Sequence, residues 1–137
     1  MLMLKLEIVT PDRKVLSESV EWVTIPTVTG EISILPNHAP LISSLSPGVL
    51  SYSHSNFVGK LAVAGGFVEV NENKVSVLAN VAEHDYEIDY EKARSEKEEL
   101  EKNLSRWTGS EEEFKTEKDR LDLAQARFVC ATQRRSS

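Results

Sequence analysis

The chain reads as an N-terminal β-sandwich followed by a C-terminal antiparallel αα-hairpin. Three observations predict this. Apolar residues alternate with period two through the first part and recur at helical steps after Asp85. All five prolines lie before residue 50, and five of the six glycines before residue 67. Charge density roughly triples at residue 84, because residues 1–84 carry 5 Lys+Arg and 8 Asp+Glu whereas residues 85–137 carry 11 and 14. The sandwich is expected over 1–84 and the hairpin over 85–137.

Leu2, Leu4, Leu6 and Ile8 alternate with Met3, Lys5 and Glu7, the pattern of a half-buried strand. Pro11-Asp12-Arg13-Lys14 supplies a turn, with proline fixing φ and the Asp side chain able to bond its own backbone. Val20, Trp22, Val23 and Ile25 read as one strand with apolar groups on both faces. Ile32 and Ile34 follow Gly30, and Val49 to Tyr52 follow the Pro47-Gly48 turn. Phe57–Val63 and Phe67–Val70 flank Gly65-Gly66. Asn71-Glu72-Asn73 turns into Lys74–Leu78. This makes about eight to ten short strands with regular turn signals, as in a sandwich or barrel.

In the second part Tyr90, Ala93, Leu100, Leu104 and Trp107 share one helical face. Asp89 is the expected N-cap and Thr108-Gly109 the stop. Ser110-x-x-Glu113 is a capping box for a second helix, with Phe114, Leu121, Ala124, Phe128 and Ala131 as its seam. Glu98–Lys102 and Glu111–Lys115 are spaced as i,i+4 pairs. Lys97 interrupts one stripe and Glu117/Lys118 the other. So thin a seam buries little, and the hairpin is expected to depend on the sandwich, a partner or a ligand.

Composition excludes several classes. Apolar residues make up 40% and charged residues 28%, an ordinary globular balance. No apolar run approaches the ~20 residues of a membrane span, and the N-terminus lacks the features of a signal peptide. The single cysteine, Cys130, has no internal partner, which fits a reducing compartment. A net charge of −6 argues against general affinity for nucleic acid or anionic lipid.

A search for chemistry finds no G-x-S-x-G, no phosphate loop, no G-x-G-x-x-G and no paired C-x-x-C. His38, His54 and His84 lack metal-site spacing, so neither a metal site nor a catalytic residue is expected. His54, between serines at a turn, reads as surface. Glu83-His84-Asp85 reads as solvated linker, since adjacent positions rarely converge on one ion. Cys130 reads as a small core residue rather than a nucleophile. Two readings follow from these residues. One is a ligand-binding sandwich with the hairpin as a dimerisation arm, and the other a small sandwich hydrolase.

Two segments are more specific. Gly30-Glu31-Ile32-Ser33-Ile34-Leu35-Pro36-Asn37-His38-Ala39-Pro40-Leu41 could be a strand entering a Pro-rich loop. Val63-Ala64-Gly65-Gly66-Phe67-Val68-Glu69-Val70 could be a bulged strand. Their order and spacing, with Leu6–Asp12 before them and the hairpin behind, closely resemble the epsilon subunit family of the F-type rotary ATP synthase. The resemblance spans the whole chain and is strongest over 1–84.

The resemblance implies a non-catalytic central-stalk subunit that binds gamma, rests on the c ring and turns with the rotor. It implies a peripheral position on the cytoplasmic face of a bacterial plasma membrane, or on a plastid thylakoid. Glu31 and His38 would contact the c ring. The hairpin would be regulatory: folded on the sandwich, or extended along gamma to block hydrolysis at the alpha and beta subunits. As one helix, residues 90–134 would reach about 68 Å at 1.5 Å per residue. Arg120, Arg127, Arg134 and Arg135 would then meet acidic segments of the catalytic head. No cofactor is implied beyond a regulatory ATP, bound in some family members through I/L-D-x-x-R-A. Ile88, Asp89 and Ala93 match that motif, Lys92 replaces its Arg, and Glu83 stands where the family site has an acid.

Overall fold

The computed structural model describes residues 2–136, with side chains through residue 133. The strands are β1 (Leu4–Val9), β2 (Lys14–Val20), β3 (Trp22–Thr27), β4 (Gly30–Ile34), β5 (Leu41–Ser44), β6 (Gly48–His54), β7 (Phe57–Ala64), β8 (Phe67–Asn71), β9 (Lys74–Leu78) and β10 (Val81–His84). A 3-10 turn (Asp85–Glu87) leads to α1 (Tyr90–Ser105) and α2 (Glu111–Ser136). One sheet has the order β2-β1-β9-β8-β5 and the other β10-β7-β6-β3-β4. Within the first, β1 and β9 run parallel while its other pairs are antiparallel.

Alternation builds the core. Leu4, Leu6 and Ile8 of β1, Val68 and Val70 of β8, and Val75 and Val77 of β9 point inward from one sheet. Val23, Ile25, Ile34, Leu50, Leu61 and Val63 meet them from the other, all essentially without solvent contact.

The expected run from Val20 to Ile25 is two strands. Val20 ends β2 in the first sheet and Trp22 opens β3 in the second. Glu21 makes the crossing: its N–H donates to Ser53 O at 2.8 Å, and its carboxylate accepts from Ser55 N at 3.1 Å. A change of sheet flips the inward face, which is why both parities look apolar there.

Gly65-Gly66 is likewise a crossing rather than a bulge. It links β7 of one sheet to β8 of the other, with φ of +72° and +86°. A Cβ on Gly66 would stand 1.8 Å from Leu78 O, so only glycine fits. Glu83 and His84 are also not linker. They belong to β10, and His84 is buried with Nε2 3.0 Å from Val15 O and its ring stacked on Tyr86.

Asp89 caps α1, its carboxylate accepting from Lys92 N at 3.1 Å. The helix stops at Ser105, ahead of the expected Thr108-Gly109, where Arg106 N–H turns back to Asn103 O and Leu104 O. Ser110 Oγ accepts from Glu113 N at 3.2 Å, as the capping pattern requires. Glu98 lies 4.0 Å from Arg94 rather than reaching Lys102.

The hairpin packs on the outer face of the second sheet. Val49 and Ala62, cross-strand neighbours there, meet Ile88, Ala93, Ala126, Cys130 and Ala131 in a small second core. Small side chains let α2 approach β6 and β7 closely. Lys97, which breaks the apolar stripe in sequence, lays its ammonium 5.3 Å from the Phe128 ring centre and so seals the seam.

Candidate functional site

The residues that meet at the hinge between sandwich and hairpin define the candidate site. A cleft of about 220 Å³ is lined by Glu83, Glu87, Ile88, Asp89, Lys92, Ala93, Glu96 and Arg127. Glu83 comes from β10, Ile88 and Asp89 from the linker, Lys92, Ala93 and Glu96 from the start of α1, and Arg127 from the middle of α2. All five residues expected at a nucleotide site (Glu83, Ile88, Asp89, Lys92 and Ala93) are therefore in one place.

Arg127 completes the cleft. Its Nε donates to Glu83 Oε1 at 2.5 Å, and its Nη1 lies 3.9 Å from Glu96. In sequence Arg127 stands only among basic residues expected at the catalytic head. Its partner is 44 positions away, and the contact exists only once α2 folds back on β7. The helical period could have flagged it: Arg127 is three residues from both Ala124 and Cys130, which are buried, so it borders the packed face. Glu87 and Glu96 had no signal in the sequence.

A second cleft, of about 440 Å³, shares Glu83, Glu87 and Arg127 with the first and adds Thr10, Asp12, Arg13, Asn80, Val81 and Ala82. Arg13 Nη2 donates to both carboxylate oxygens of Glu87, at 2.9 Å each, and Glu87 also accepts from His84 N at 3.0 Å. The Arg13 hydrogen bond is the main reason that the Glu87 carboxyl sits below its ordinary 4.5. Four carboxylates and two cations line the first cleft, so an anion would enter only where Lys92 and Arg127 face it together.

The other expected positions are dispersed. Glu31 pairs with Pro26 at the start of β4, whereas His38 lies in the loop beyond the end of that strand. They do not form one constellation. The His38 loop is built: Leu35 O accepts from His38 N at 3.2 Å, Asn37 takes φ +70° after Pro36, and Asn37 N donates to Asn73 Oδ1 at 2.6 Å. His38 Nδ1 donates to Ala39 O at 2.7 Å, so the imidazole shapes the loop. Arg120 is exposed and pairs with Glu117 at 2.9 Å. The side chains of Arg134 and Arg135 lie outside the described residues. His54 is half-exposed, as expected, with Nδ1 2.7 Å from Ser19 O. Cys130 is buried, and burial pushes its thiol up to about 12, which suits a core residue. Among the described residues no cluster could hold a metal ion, and no helix is long and apolar enough to cross a membrane.

The family model for the ATP synthase delta/epsilon chain β-sandwich domain matches residues 3–85. The chain belongs to the ATP synthase epsilon-chain family. The epsilon chain of Desulfitobacterium hafniense (strain Y51) is 48% identical over 104 residues, 76% of this chain and 79% of that one. That of Halalkalibacterium halodurans is 41% identical over 128 residues, 88% of this chain and 96% of its own. A subunit in the OSCP/F1/c-ring structure of the Euglena gracilis mitochondrial ATP synthase superposes with a TM-score of 0.79 at 25% identity, covering 95% of this chain and 81% of that chain. Similarity to epsilon chains thus extends beyond the sandwich into the hairpin.

Proposed function

We propose that this epsilon-family chain is a non-catalytic rotor subunit of the ATP synthase central stalk. It joins gamma to the c ring through its sandwich and restrains ATP hydrolysis through its hairpin. The observation that carries the regulatory part is the way the hairpin is held. It docks chiefly through small side chains (Ala93, Ala126, Cys130 and Ala131), with Leu123 and Phe128 partly buried beside them, the Glu83–Arg127 ion pair and a hydrogen bond from Lys60 to Gln133. At about 0.8 kcal/mol per methyl-sized group, such a contact contributes on the order of a few kcal/mol. That is the range in which two arrangements of one element can both be populated.

An uncovered apolar row supports a role for the first sheet in partner binding. Val9, Leu78 and Phe67 are successive cross-strand partners on its outer face, with Ile42 of β5 nearby and 70% exposed. The test of the assignment is co-purification with gamma and the c ring. One complex by size exclusion is expected, and separate peaks at micromolar concentration would refute it. Peripheral attachment to the membrane-bound enzyme follows from those partners.

The hinge cleft is read as a site for a regulatory nucleotide. At about 220 Å³ it is smaller than ordinary ligand pockets, but only Glu83, Glu87 and Arg127 separate it from its neighbour. A nucleotide would therefore need Arg127 to leave Glu83 for a phosphate, with Lys92 beside it. Lysine offers one point of charge where the family motif has the planar fork of arginine. Lys92→Arg should tighten ATP binding severalfold in equilibrium dialysis, and equal affinity would remove Lys92 from the site.

A further inference from the structure

Arg13 lies outside the family motif and outside the first cleft, yet it reaches the segment from which the cleft is made. The β1–β2 turn that carries it is tied down. Thr10 and Arg13 exchange backbone hydrogen bonds of 2.9 and 3.3 Å, and Thr10 Oγ1 donates to Asp12 at 2.6 Å. From this fixed turn Arg13 grips Glu87, 74 positions later, by both carboxylate oxygens. Glu87 in turn accepts from His84 N, closing the 3-10 turn of residues 85–87 on the end of β10. Ile88 N–H then donates to Asp85 O at 3.3 Å, and the next residue is the N-cap of α1.

We propose that Arg13 is a positioning residue that clamps residues 85–88 to the sandwich, so that the hairpin pivots at Asp89 and the linker side of the hinge cleft stays formed when the helices leave. The rigid sandwich unit then ends at Ile88, four residues beyond the change in composition. The clamp acts on two elements of the cleft at once. It fixes the Glu87 carboxylate on the wall shared by both clefts, and it fixes the direction in which Ile88 and Asp89 enter α1. A random linker would let the helices depart in any direction, whereas a clamped one limits them to rotation about a single residue.

The clamp itself is tested without any nucleotide, by hydrogen exchange on the full-length chain. Arg13 and Glu87 side chains are 43% and 30% exposed, so the loss from Arg13→Ala should be modest. The amides of 85–88 should exchange about three- to fivefold faster, with β6 and β7 unchanged. Arg13→Lys should restore part of the protection. The charge-swapped pair Arg13→Glu with Glu87→Arg should restore more than either single reversal. Unchanged exchange at 85–88 in Arg13→Ala would overturn the clamp, and so would equal acceleration throughout β6 and β7. The effect on the cleft rests on the nucleotide reading above. With ATP as the probe, Arg13→Ala should weaken binding severalfold and the swapped pair should recover it. ATP affinity unaltered by Arg13→Ala, where the parent binds, would overturn the positioning role. Failure of the parent to bind ATP would refute the nucleotide reading alone, because the exchange result stands apart from it.

Discussion

At the residue scale, two positions carry more than their sequence signals suggest. Gly66 joins the two sheets in a conformation that only glycine adopts at ease, against the Leu78 carbonyl. Gly66→Ala must distort the crossing, and it should cost about 3 kcal/mol and lower Tm by roughly 10 °C in thermal unfolding. Glu87 is the second. Its carboxyl is held below 4.5 chiefly by the hydrogen bond from Arg13. A depressed carboxyl contributes stability above its unfolded value and loses it as pH falls through the folded one. Acid should therefore loosen residues 85–88 from pH 4.5 downward. Glu87→Gln should remove that component of the pH dependence, as measured by hydrogen exchange or acid titration of stability.

At the element scale, strand alternation is legible because the first sheet buries one face and the second is covered on its outer face only where the hairpin meets β6 and β7. The misread run at Val20–Ile25 marks the limit of that signal. A chain that changes sheets in one residue, at Glu21, shows the same apolar density as a two-faced strand. Edge strands β2 and β5 were hidden for a related reason. Polar residues break their core-facing rows, Glu18 opposite Leu6 in β2 and Ser43 opposite Val68 in β5, so neither shows a clean apolar alternation. The cleft was half legible. Glu83 and Ile88–Ala93 lie close in sequence and follow a motif, whereas Arg127 and Arg13 join them only through tertiary folding. The hairpin seam is thin in sequence, and the structure shows how it is compensated, through β6 and β7 rather than between the helices alone. Cys130 reports on that docking. Burial raises its thiol, so the folded state favours the protonated form, and this contribution is fully present below pH 9.0 and lost as pH rises towards about 12. Alkylation at pH 8 should be at least tenfold slower than in the urea-unfolded chain. Ala126→Asp, which places a charge in the same interface, should abolish that protection while leaving β1 and β9 protected from exchange.

At the scale of the whole molecule, the proposed regulation would have the same residues serve two incompatible states, and this decides how inhibition should be tested. Folded, Arg127 is satisfied by Glu83 and Glu96, and the small residues of α2 are buried on β6 and β7. In the proposed extended state all of these would be released, and any gain would have to come from contacts with the catalytic head. Reversing Arg127 to Glu therefore perturbs both sides. It sets a carboxylate against Glu83 in the folded state and removes a cation in the extended one. Arg120 is the cleaner probe, because its only tie among the described contacts is the exposed pair with Glu117, worth little by itself. Removal of residues 89–137 keeps Glu87 for Arg13 and should raise ATP hydrolysis by the assembled enzyme. If a fraction f of hairpins is extended and blocking, the rise is 1/(1−f), so the measurement reads the population directly. Arg120→Glu should give a smaller rise in the same direction, and added salt should matter less in that variant than in the parent. Equal hydrolysis by parent and truncated enzymes at low salt and low ATP would mean that f is near zero, and that the hairpin of this chain holds the sandwich without restraining the rotor.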